Sequence, residues 1–433
     1  MKIRLGLAAA LLPAALLQAV PAWADSAPAA DPLPRAAPEA VGLSSERLGR
    51  IGNALRDEIE RRRLPGAVVA IARKGKLAYF EAFGARDPET GAPMTTDALF
   101  SIASMTKPMT TVGALTLYEE GRLLLSDPLG RYLPVLAKMP VAVQPFRTLN
   151  DGKVETRAPV RPPTVQDLMR HTSGLVYGAR GSTPVHEQYP PSSARSATSM
   201  TAQEFLDRLG SLPLLHQPGT VWEYSLSTDV LGLTVEAVAG RSLGSFLQER
   251  LWGPLGMRDT GFVLPPEAVG RWARAFPNNP DTGRPQTILD VSKAPKFECG
   301  GGCAYSSAGD YIRFAEMLLE KGRLGDVRIL GRKTVEYMTA DHLGPEVENG
   351  IATTESARDG YGFGLGVAVR RTAGVSGVTG SKGDYNWGGA YGTYFWVDPE
   401  EELAVVFMAH APGSIRTHTR ALMKTLVLQA VVD

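Results

Sequence analysis

The sequence of 433 residues has few cysteines, almost no net charge and, after its first residues, no long apolar run. Each of these features excludes a class of protein or of binding partner. Two cysteines are too few for a framework of several disulfides. Lys and Arg number 46 against 45 Asp and Glu, and this balance does not indicate nucleic acid or an anionic membrane as a partner. After residue 24, no apolar run approaches the ~20 residues of a membrane-spanning helix. With 44% hydrophobic residues, the chain is typical of a globular protein that is not inserted in a membrane.

The first residues have the pattern of a targeting segment. Lys2 and Arg4 precede an apolar run over 5–20, and Ala22 and Ala24 supply the small residues of a cleavage site. This pattern predicts a signal peptide over residues 1–24 and a periplasmic or secreted protein. Its removal changes the formal net charge from +1 to −1, because two positive charges are lost (44 − 45). A retained membrane anchor is the alternative interpretation.

The remaining chain changes character along its length. Residues 25–40 are rich in Ala and Pro and predict a disordered lead-in. Apolar spacing predicts a helix over 44–63, and a hairpin of strands follows within 67–84. The stretch 364–408 has strand patterning, and 416–428 is predicted to be a closing amphipathic helix. Strands at both ends with helices between indicate one sheet completed by both ends of the chain, with a helical insertion.

The two cysteines flank a glycine run, Cys299-Gly-Gly-Gly-Cys303. In an exported protein such a short loop could close as a disulfide, and two free thiols are the other alternative. A zinc site is not expected, because no second cysteine pair and no His-x-x-x-His accompanies the motif. We expect neither a metal nor a cofactor.

The strongest local motif is Ser104-Met-Thr-Lys107, at the start of a helical pattern. Positions i and i+3 lie on one face of a helix, so the lysine can help to hold and move the serine proton. The free backbone N–H groups of a helix start could also stabilise an oxyanion. Ser-x-x-Lys alone is weak, and a capping serine beside an exposed lysine is the alternative.

Further segments in the same order strengthen this motif: 164–175, Tyr224–Gly232, Pro254–Met257 and Trp387–Gly389. With them, the chain from about residue 37 to 430 resembles the superfamily of class C β-lactamases and D,D-peptidases. More narrowly, it resembles the family VIII carboxylesterases, which include acyltransferases of lovastatin-synthase type.

The resemblance implies a β-lactamase-like α/β fold of the α+β type, with an antiparallel sheet, flanking helices and a helical insertion. We expect residues 41–107 and 286–433 to form the α/β domain, and residues 108–285 to form a mainly helical domain. The active site should lie between them.

The resemblance also implies residue roles. Ser104 corresponds to the nucleophile, Lys107 to the helix lysine, and Tyr224 to the tyrosine that acts with the lysine as general base. The N–H groups of Ser104 and Ala390 correspond to the oxyanion hole. A tyrosine has an ordinary pKa near 10, so Tyr224 needs an adjacent positive charge to act as a base at neutral pH.

Two departures from the family pattern bear on the substrate. Trp387-Gly388-Gly389 occupies the place of a Lys-Thr-Gly strand motif in β-lactamases, and we expect these three residues to bind substrate. The change removes polar groups that a β-lactam carboxylate would use. Leu226 stands where the family has an asparagine. Both changes favour esters over β-lactams.

Other residues mimic catalytic motifs. Ser242 lies in a Gly-x-Ser-x-Gly pattern, but a helical segment precedes it where a nucleophile elbow needs a strand, so we predict a helix cap. The resemblance makes His171 structural. Four tyrosines are candidates for shaping an acyl pocket, although ordinary packing is the simpler interpretation: Tyr177, Tyr305, Tyr385 and Tyr391.

We therefore expect an exported serine carboxylesterase that hydrolyses short-chain or aromatic esters through an acyl-enzyme on Ser104. Weak β-lactam hydrolysis or acyl transfer are side activities compatible with the resemblance. The alternatives are a β-lactamase or D,D-peptidase acting on amides, and an inactive binding protein on the same scaffold. The only partner expected is a small-molecule ester, and the sequence leaves the oligomeric state open.

Overall fold

The structure is a computed structural model that describes residues 31–144, 147–149 and 152–433. The predicted signal peptide and residues 25–30 of the lead-in lie outside the described residues. Within 31–40 the expectation of disorder is wrong: Leu33 is buried in the main core, and Pro38–Val41 forms a 3₁₀ helix. These residues are ordered because an apolar surface is available to bury Leu33.

Most β-strands lie toward the two ends of the chain. In chain order they are β1 Gly66–Arg73, β2 Lys76–Asp87, β3 Ala92–Pro93, β4 Leu99–Ser101, β5 Val141–Ala142, β6 Thr156–Arg157, β7 Tyr305–Ser307, β8 Arg323–Leu324, β9 Val327–Arg328, β10 Tyr361–Phe363, β11 Ala368–Arg370, β12 Tyr385–Gly388, β13 Tyr394–Asp398 and β14 Leu403–Ala409. Eight of them form an antiparallel sheet in the order β10-β11-β12-β13-β14-β1-β2-β3. Strands before and after the helical segment therefore meet at the β1–β14 pair, as predicted.

The helices are concentrated between the two groups of strands. The α-helices are α1 Ser45–Glu60, α2 Thr106–Glu119, α3 Val165–Met169, α4 Ser193–Ser199, α5 Ala202–Gly210, α6 Ser227–Ala239, α7 Leu243–Leu247, α8 Ala308–Leu319, α9 Arg332–Met338 and α10 Ser414–Leu428. Ser44 caps α1, which confirms the predicted start of that helix. The described residues from 31 to 433 form one compact unit.

Strand β1 shows how the sheet is buried. All eight of its residues are buried, and alternate side chains point to opposite faces. Val69 and Ile71 join an apolar core with residues of α1 and α10, whereas Val68 and Ala70 join the core that includes α8. The sheet is therefore the middle layer of three, and its second face supports the segment that contains the site.

The predicted strand region near residue 364 differs in detail from the expectation. Strands β10 and β11 form a hairpin, and the Gly364 N–H donates to the Val367 carbonyl in its turn. Gly366 has φ +78°, a conformation that disfavours other residues. The alternation that predicts strand structure from residue 364 onward gives no signal of this turn.

Among residues 31–144, 147–149 and 152–433, no single helix is long and apolar enough to cross a bilayer. Helix α6 and the segment Leu243–Trp252 reach the required length and composition only together, with a bend of 75° between them.

Candidate active site

Ser104 lies in a tight turn that leads directly into α2. A 3₁₀ helix, Ala103–Met105, precedes α2, and Ser104 is half-buried within it. Ala103 has φ 44°, in the left-handed region that residues other than glycine rarely adopt. The Thr106 hydroxyl donates to the Ala103 carbonyl at 2.7 Å and supports this turn. A strained backbone next to a nucleophile is typical of a functional site, where the surrounding structure offsets a cost of about 1–3 kcal/mol.

Lys107 is fully buried one helical turn beyond the serine. Its Nζ lies 3.5 Å from Ser104 Oγ, 3.1 Å from the Tyr177 hydroxyl and 2.6 Å from the Gly301 carbonyl oxygen. Burial alone would lower the pKa of Lys107, but Tyr177, Tyr224 and Asp229 outweigh it and raise the pKa. The lysine is therefore a cation at neutral pH, and its three donors are directed at defined acceptors.

Tyr224 lies against this cation from a loop just before α6. Nζ of Lys107 is 4.6 Å from the centre of its ring, and Nε1 of Trp387 donates to its hydroxyl at 3.3 Å. Burial acts to raise the pKa of Tyr224, but the charge of Lys107 and hydrogen bonding with Lys107, Ser104 and Trp387 lower the pKa below its ordinary value. Tyr224 is therefore the group in this site that can accept the proton of Ser104.

Tyr177 is a second buried tyrosine at the same ammonium group, but its pKa shifts in the other direction. Burial raises the pKa of Tyr177 and Asp229 adds to the rise, while Lys107 opposes it. Its hydroxyl also lies 2.8 Å from Ser193 Oγ. The pKa of Tyr177 therefore lies above the ordinary value of a tyrosine, whereas the pKa of Tyr224 lies below it. Two like groups whose environments separate their pKa values are characteristic of acid and base assignments in enzymes.

The end of β12 comes directly against the turn that contains Ser104. A Cβ on Gly389 would collide with the Ile102 carbonyl and the Thr393 hydroxyl, so the close approach requires glycine. Thr393 Oγ1 donates to the Ile102 carbonyl at 3.2 Å and fixes the same contact. Ala390 follows at the surface, and its carbonyl accepts a hydrogen bond from Arg416. The oxyanion hole of Ser104 and Ala390 stays a prediction, and this contact places the two segments side by side.

Trp387 is more deeply placed than a residue that only lines a pocket. Its side chain is 1% exposed, and its ring packs against Tyr224 and Phe363. The Arg358 guanidinium lies 4.0 Å above the same ring, in cation–π geometry. The indole therefore contacts Tyr224 directly, through its N–H donor. The sequence pattern indicated a role for Trp387 in substrate binding but gave no signal of this hydrogen bond.

Comparison with known proteins adds the family. The family model described as Beta-lactamase matches residues 51–429. The chain belongs to the beta-lactamase family. With Ser104, Lys107 and Tyr224 gathered at one site, this member of the family is a serine hydrolase.

Three similar proteins define its position in the beta-lactamase family. Protein Rv1367c of Mycobacterium tuberculosis is 35% identical over 355 residues, which cover 81% of this chain and 86% of that protein. Esterase EstB of Burkholderia gladioli is 31% identical over 397 residues, covering 86% of this chain and 93% of EstB. The structure of EstCE1, described as a hydrolase with promiscuous acyltransferase activity, matches with a TM-score of 0.71 and 26% identity, covering 90% of this chain and 99% of EstCE1.

Within this beta-lactamase fold, the other candidate motifs have structural roles. Ser242 is the N-cap of α7 and accepts from the Ser245 N–H, as predicted. His171 is buried against Tyr224, and its Nδ1 lies 3.2 Å from Ser225 Oγ. Burial, with the nearby charges of Lys107 and Arg180, lowers the pKa of His171 well below its ordinary value. His171 is therefore a neutral packing residue beside Tyr224.

The cysteines lie next to the site. Cys299 and Cys303 are buried and form a disulfide, so of the two alternatives the structure has the bonded one. The loop that they close supplies the Gly301 carbonyl to Lys107 and the Gly300 carbonyl to the hydroxyl of Thr110 at 2.9 Å. The disulfide therefore holds backbone acceptors against α2.

Sequence reasoning missed three groups that the fold brings to Lys107. Asp229, Ser193 and the Gly301 backbone lie at the site, but none belongs to a motif that predicts catalysis. The available signal was weak: Asp229 is a charged residue directly before the apolar run 230–233 and lies shortly after Tyr224 in the chain. Within the part of the chain that the structure describes, no group of three or more His, Cys, Asp or Glu side chains could hold a metal ion.

Proposed function

We propose that this protein is a serine carboxylesterase that hydrolyses short-chain or aromatic carboxylic esters through an acyl-enzyme on Ser104. The observation that carries the proposal is the pair formed by Lys107 and Tyr224. The charge of Lys107 lowers the pKa of a buried tyrosine beside the serine. A nucleophile, its base and the cation that activates the base are thus assembled in one place.

Acylation follows from this arrangement. Tyr224, as a phenolate stabilised by the Lys107 ammonium, takes the proton of Ser104 while Oγ attacks the ester carbonyl carbon. The negative charge that develops on the carbonyl oxygen is stabilised by the N–H groups expected from Ser104 and Ala390. The C–O bond to the alcohol then breaks, and Tyr224 returns the proton to the departing alkoxide. The products of this half-reaction are the free alcohol and the acyl-Ser104 ester.

Deacylation repeats the chemistry with water. Tyr224 takes a proton from a water molecule as the water oxygen attacks the acyl carbon. The Ser104–acyl bond breaks, and the proton returns to Ser104 Oγ. Because an alcohol can replace water in this step, acyl transfer belongs to the same mechanism, in keeping with the description of EstCE1.

The preference for esters is supported by the groups at two positions. Trp387 is turned into the core toward Tyr224, so it offers no cation to a substrate carboxylate. Leu226 is fully buried and apolar where an asparagine amide would contact an amide substrate. The relatedness to Esterase EstB supports the same substrate class.

Turnover of p-nitrophenyl butyrate, an aromatic ester and a chromogenic cephalosporin tests the proposal. We expect both esters to be hydrolysed faster than the cephalosporin, and Ser104→Ala to lose at least ~10³-fold in kcat/KM. Ser242→Ala is the matched control, since it removes a serine that only caps a helix, at about 1 kcal/mol of stability. Full activity in Ser104→Ala would refute the proposal.

The other outcomes separate the alternatives. Faster turnover of the cephalosporin would favour a β-lactamase. Absence of labelling of Ser104 by a fluorophosphonate probe would favour an inactive binding protein.

We further propose that the protein is exported and acts in the periplasm or outside the cell. The N-terminal pattern and the buried disulfide support this, because disulfides persist mainly in oxidising compartments. Cell fractionation and N-terminal sequencing of the mature protein test it. A chain that begins at Asp25 is expected, and a cytoplasmic chain with residues 1–24 retained would contradict it.

A further inference from the structure

Asp229 is a buried carboxylate at the back of the site. It lies in the first turn of α6 and is fully buried. Ser193 Oγ donates to its Oδ2 at 2.7 Å, and the Gly301 N–H donates to its Oδ1 at 3.0 Å. A Cβ on Gly301 would collide with this carboxylate, so the loop must present a bare backbone there. Moving an ionised carboxylate out of water is energetically costly, so a buried one requires a compensating positive charge.

That positive charge is Lys107, reached through two hydrogen-bonded routes rather than a direct ion pair. One route runs from Nζ to the Tyr177 hydroxyl, then to Ser193 and to Asp229, over 3.1, 2.8 and 2.7 Å. The other runs through Gly301, whose carbonyl accepts from Lys107 at 2.6 Å and whose N–H donates to Asp229. Lys107 and Asp229 thus lie on opposite sides of one hydrogen-bonded ring.

The donors in this ring have a fixed direction. An ionised carboxylate only accepts, so the single hydroxyl proton of Ser193 goes to Asp229. Ser193 must then accept from Tyr177, and the proton of Tyr177 points away from Lys107. Tyr177 therefore stays neutral and donates its hydroxyl proton to Ser193. Tyr224, which is outside the ring, is the tyrosine that remains available to the Ser104 proton.

We propose that Asp229 is a positioning residue for the reaction at Ser104: it holds the Lys107 ammonium in place and commits Tyr177 to the ring, which leaves Tyr224 as the base. This inference rests on the proposed function. Without the carboxylate, Ser193 could reverse and donate to Tyr177, and the two tyrosines would compete for the same role.

The charged and titratable groups around Lys107 determine the expected pH dependence. Tyr177, Tyr224, Asp229 and His171 face it from the surrounding loops and α6, and Arg180 lies over the ring of Tyr224. Asp229 raises the pKa of Lys107, so its loss lowers that pKa. Burial raises the pKa of Asp229, while Lys107, Ser193 and Gly301 oppose the rise.

Asp229→Asn tests the inference, with kcat/KM for p-nitrophenyl butyrate measured across pH. We expect a loss of about tenfold to a hundredfold at the optimum and a downward shift of the alkaline limb by about one pH unit, because Lys107 loses its counter-charge. Asp310→Asn is the matched control: it changes another buried aspartate, at the start of α8, and should leave the alkaline limb in place. An unchanged profile in Asp229→Asn overturns the inference.

Ser193→Ala decides the question if Asp229→Asn does not fold. Loss of the Ser193 donor raises the pKa of Asp229. On acidification, Asp229 is then protonated at a higher pH, and the activity that depends on its negative charge is lost there. The acid limb should therefore move to higher pH. Ser196→Ala, a buried serine of the same helix outside the ring, should not move it. An acid limb that stays in place in Ser193→Ala counts against the inference.

The rate of fluorophosphonate labelling of Ser104 provides a readout that does not depend on the ester. If the wild-type protein labels at Ser104 but hydrolyses no ester, the proposed substrate class fails, and the pH profile of labelling still decides the role of Asp229. If labelling responds to Asp229→Asn as hydrolysis does, both proposals stand. If Ser104 is not labelled, both fail.

Discussion

Among the residues that the structure describes, Lys107 and Lys424 are each buried beside a tyrosine and an aspartate, and the two clusters differ in how the lysine and the aspartate are joined. Lys424 of α10 contacts the Asp384 carboxylate directly at 2.7 Å, and Tyr361 also donates to that carboxylate. At the active site, Asp229 is separated from Lys107 by Tyr177, Ser193 and the loop that contains Gly301. Asp384 also pairs with the buried Arg370, whereas Asp229 accepts from Ser193 and the Gly301 N–H.

The difference explains why only one cluster is poised for chemistry. Burial and the adjacent Asp384 raise the pKa of Tyr361, so that tyrosine stays neutral. Around Lys107 the carboxylate is held at a distance, and the ammonium is left to lower the pKa of Tyr224. A lysine paired directly with an acid stabilises the fold, whereas a lysine held one relay away from its acid can activate a neighbouring base.

Removing each tyrosine hydroxyl should give the largest contrast. Tyr224→Phe removes the base, and we expect kcat to fall by about 10³-fold with little change in stability. Tyr361→Phe should keep kcat within about threefold but lower the free energy of unfolding by about 1–2 kcal/mol, because the buried Asp384 and Lys424 lose a partner. Ester kinetics and denaturant unfolding of both variants measure this. Equal losses of kcat would show that the two clusters are not different in kind.

Lys424→Met should come next in size and affect stability only. Breaking a buried ion pair by removing one partner costs about 3 kcal/mol, since Asp384 keeps only Arg370 as its cation. Denaturant unfolding monitored by tryptophan fluorescence provides the measurement, and the pH profile of hydrolysis should be unchanged. A shifted pH profile would connect Lys424 to the active site and contradict the comparison.

Opening the disulfide should have a smaller effect, on both the stability of the protein and its activity. In the double variant Cys299→Ser, Cys303→Ser we expect a loss of about 2 kcal/mol in stability, as the loop-entropy relation gives for so short a loop. Activity should fall severalfold, because the Gly301 carbonyl is no longer held against Lys107. Thermal unfolding and ester kinetics measure the two effects. Wild-type activity in the double variant would show that the loop positions itself without the bond.

Trp387→Phe should produce the smallest change in activity, and its effect on the pH profile reports on the pKa of Tyr224. The indole N–H donates to the Tyr224 hydroxyl and helps to lower its pKa, so its loss raises that pKa. The acid limb of kcat/KM should then move up by about half a pH unit, as less of the tyrosine is ionised at a given pH. The same substitution at Trp396, a buried tryptophan of β13 outside the site, is the matched control. An unmoved acid limb would mean that Lys107 alone controls the base.

Much of the fold could be predicted from local patterns. The cap and apolar face of α1, the β1–β2 hairpin and the closing helix α10 follow from spacing within short stretches. The ordered residues 31–40 could not be predicted in the same way, because the Ala- and Pro-rich segment is held by a core formed elsewhere in the chain. The turn at Gly366 was missed because the alternation of apolar residues continues through it.

The active site was predictable where it is local or belongs to a family motif. Ser104 and Lys107 are one helical turn apart, so their proximity is a property of the sequence itself, and Tyr224 was identified by resemblance. Asp229 and Ser193 were not identified, since a lone buried aspartate and a serine of a short helix carry no spacing signal. Only packing of α6 against α2 and the disulfide loop brings them together.

The sequence by itself determined that Ser104 and Lys107 lie together and that glycines allow the end of β12 to approach them, because these features depend on helical spacing and on the absence of a side chain. The tertiary structure decided how the two buried tyrosines at Lys107 differ in pKa. Tyr177 and Tyr224 are chemically identical, and both lie beside Lys107. Burial and the charge of Asp229 raise the pKa of Tyr177 despite Lys107, whereas burial of Tyr224 is outweighed by the charge of Lys107 and by hydrogen bonding with Lys107, Ser104 and Trp387. That distinction is electrostatic, and it depends on distances between segments that are far apart in the chain.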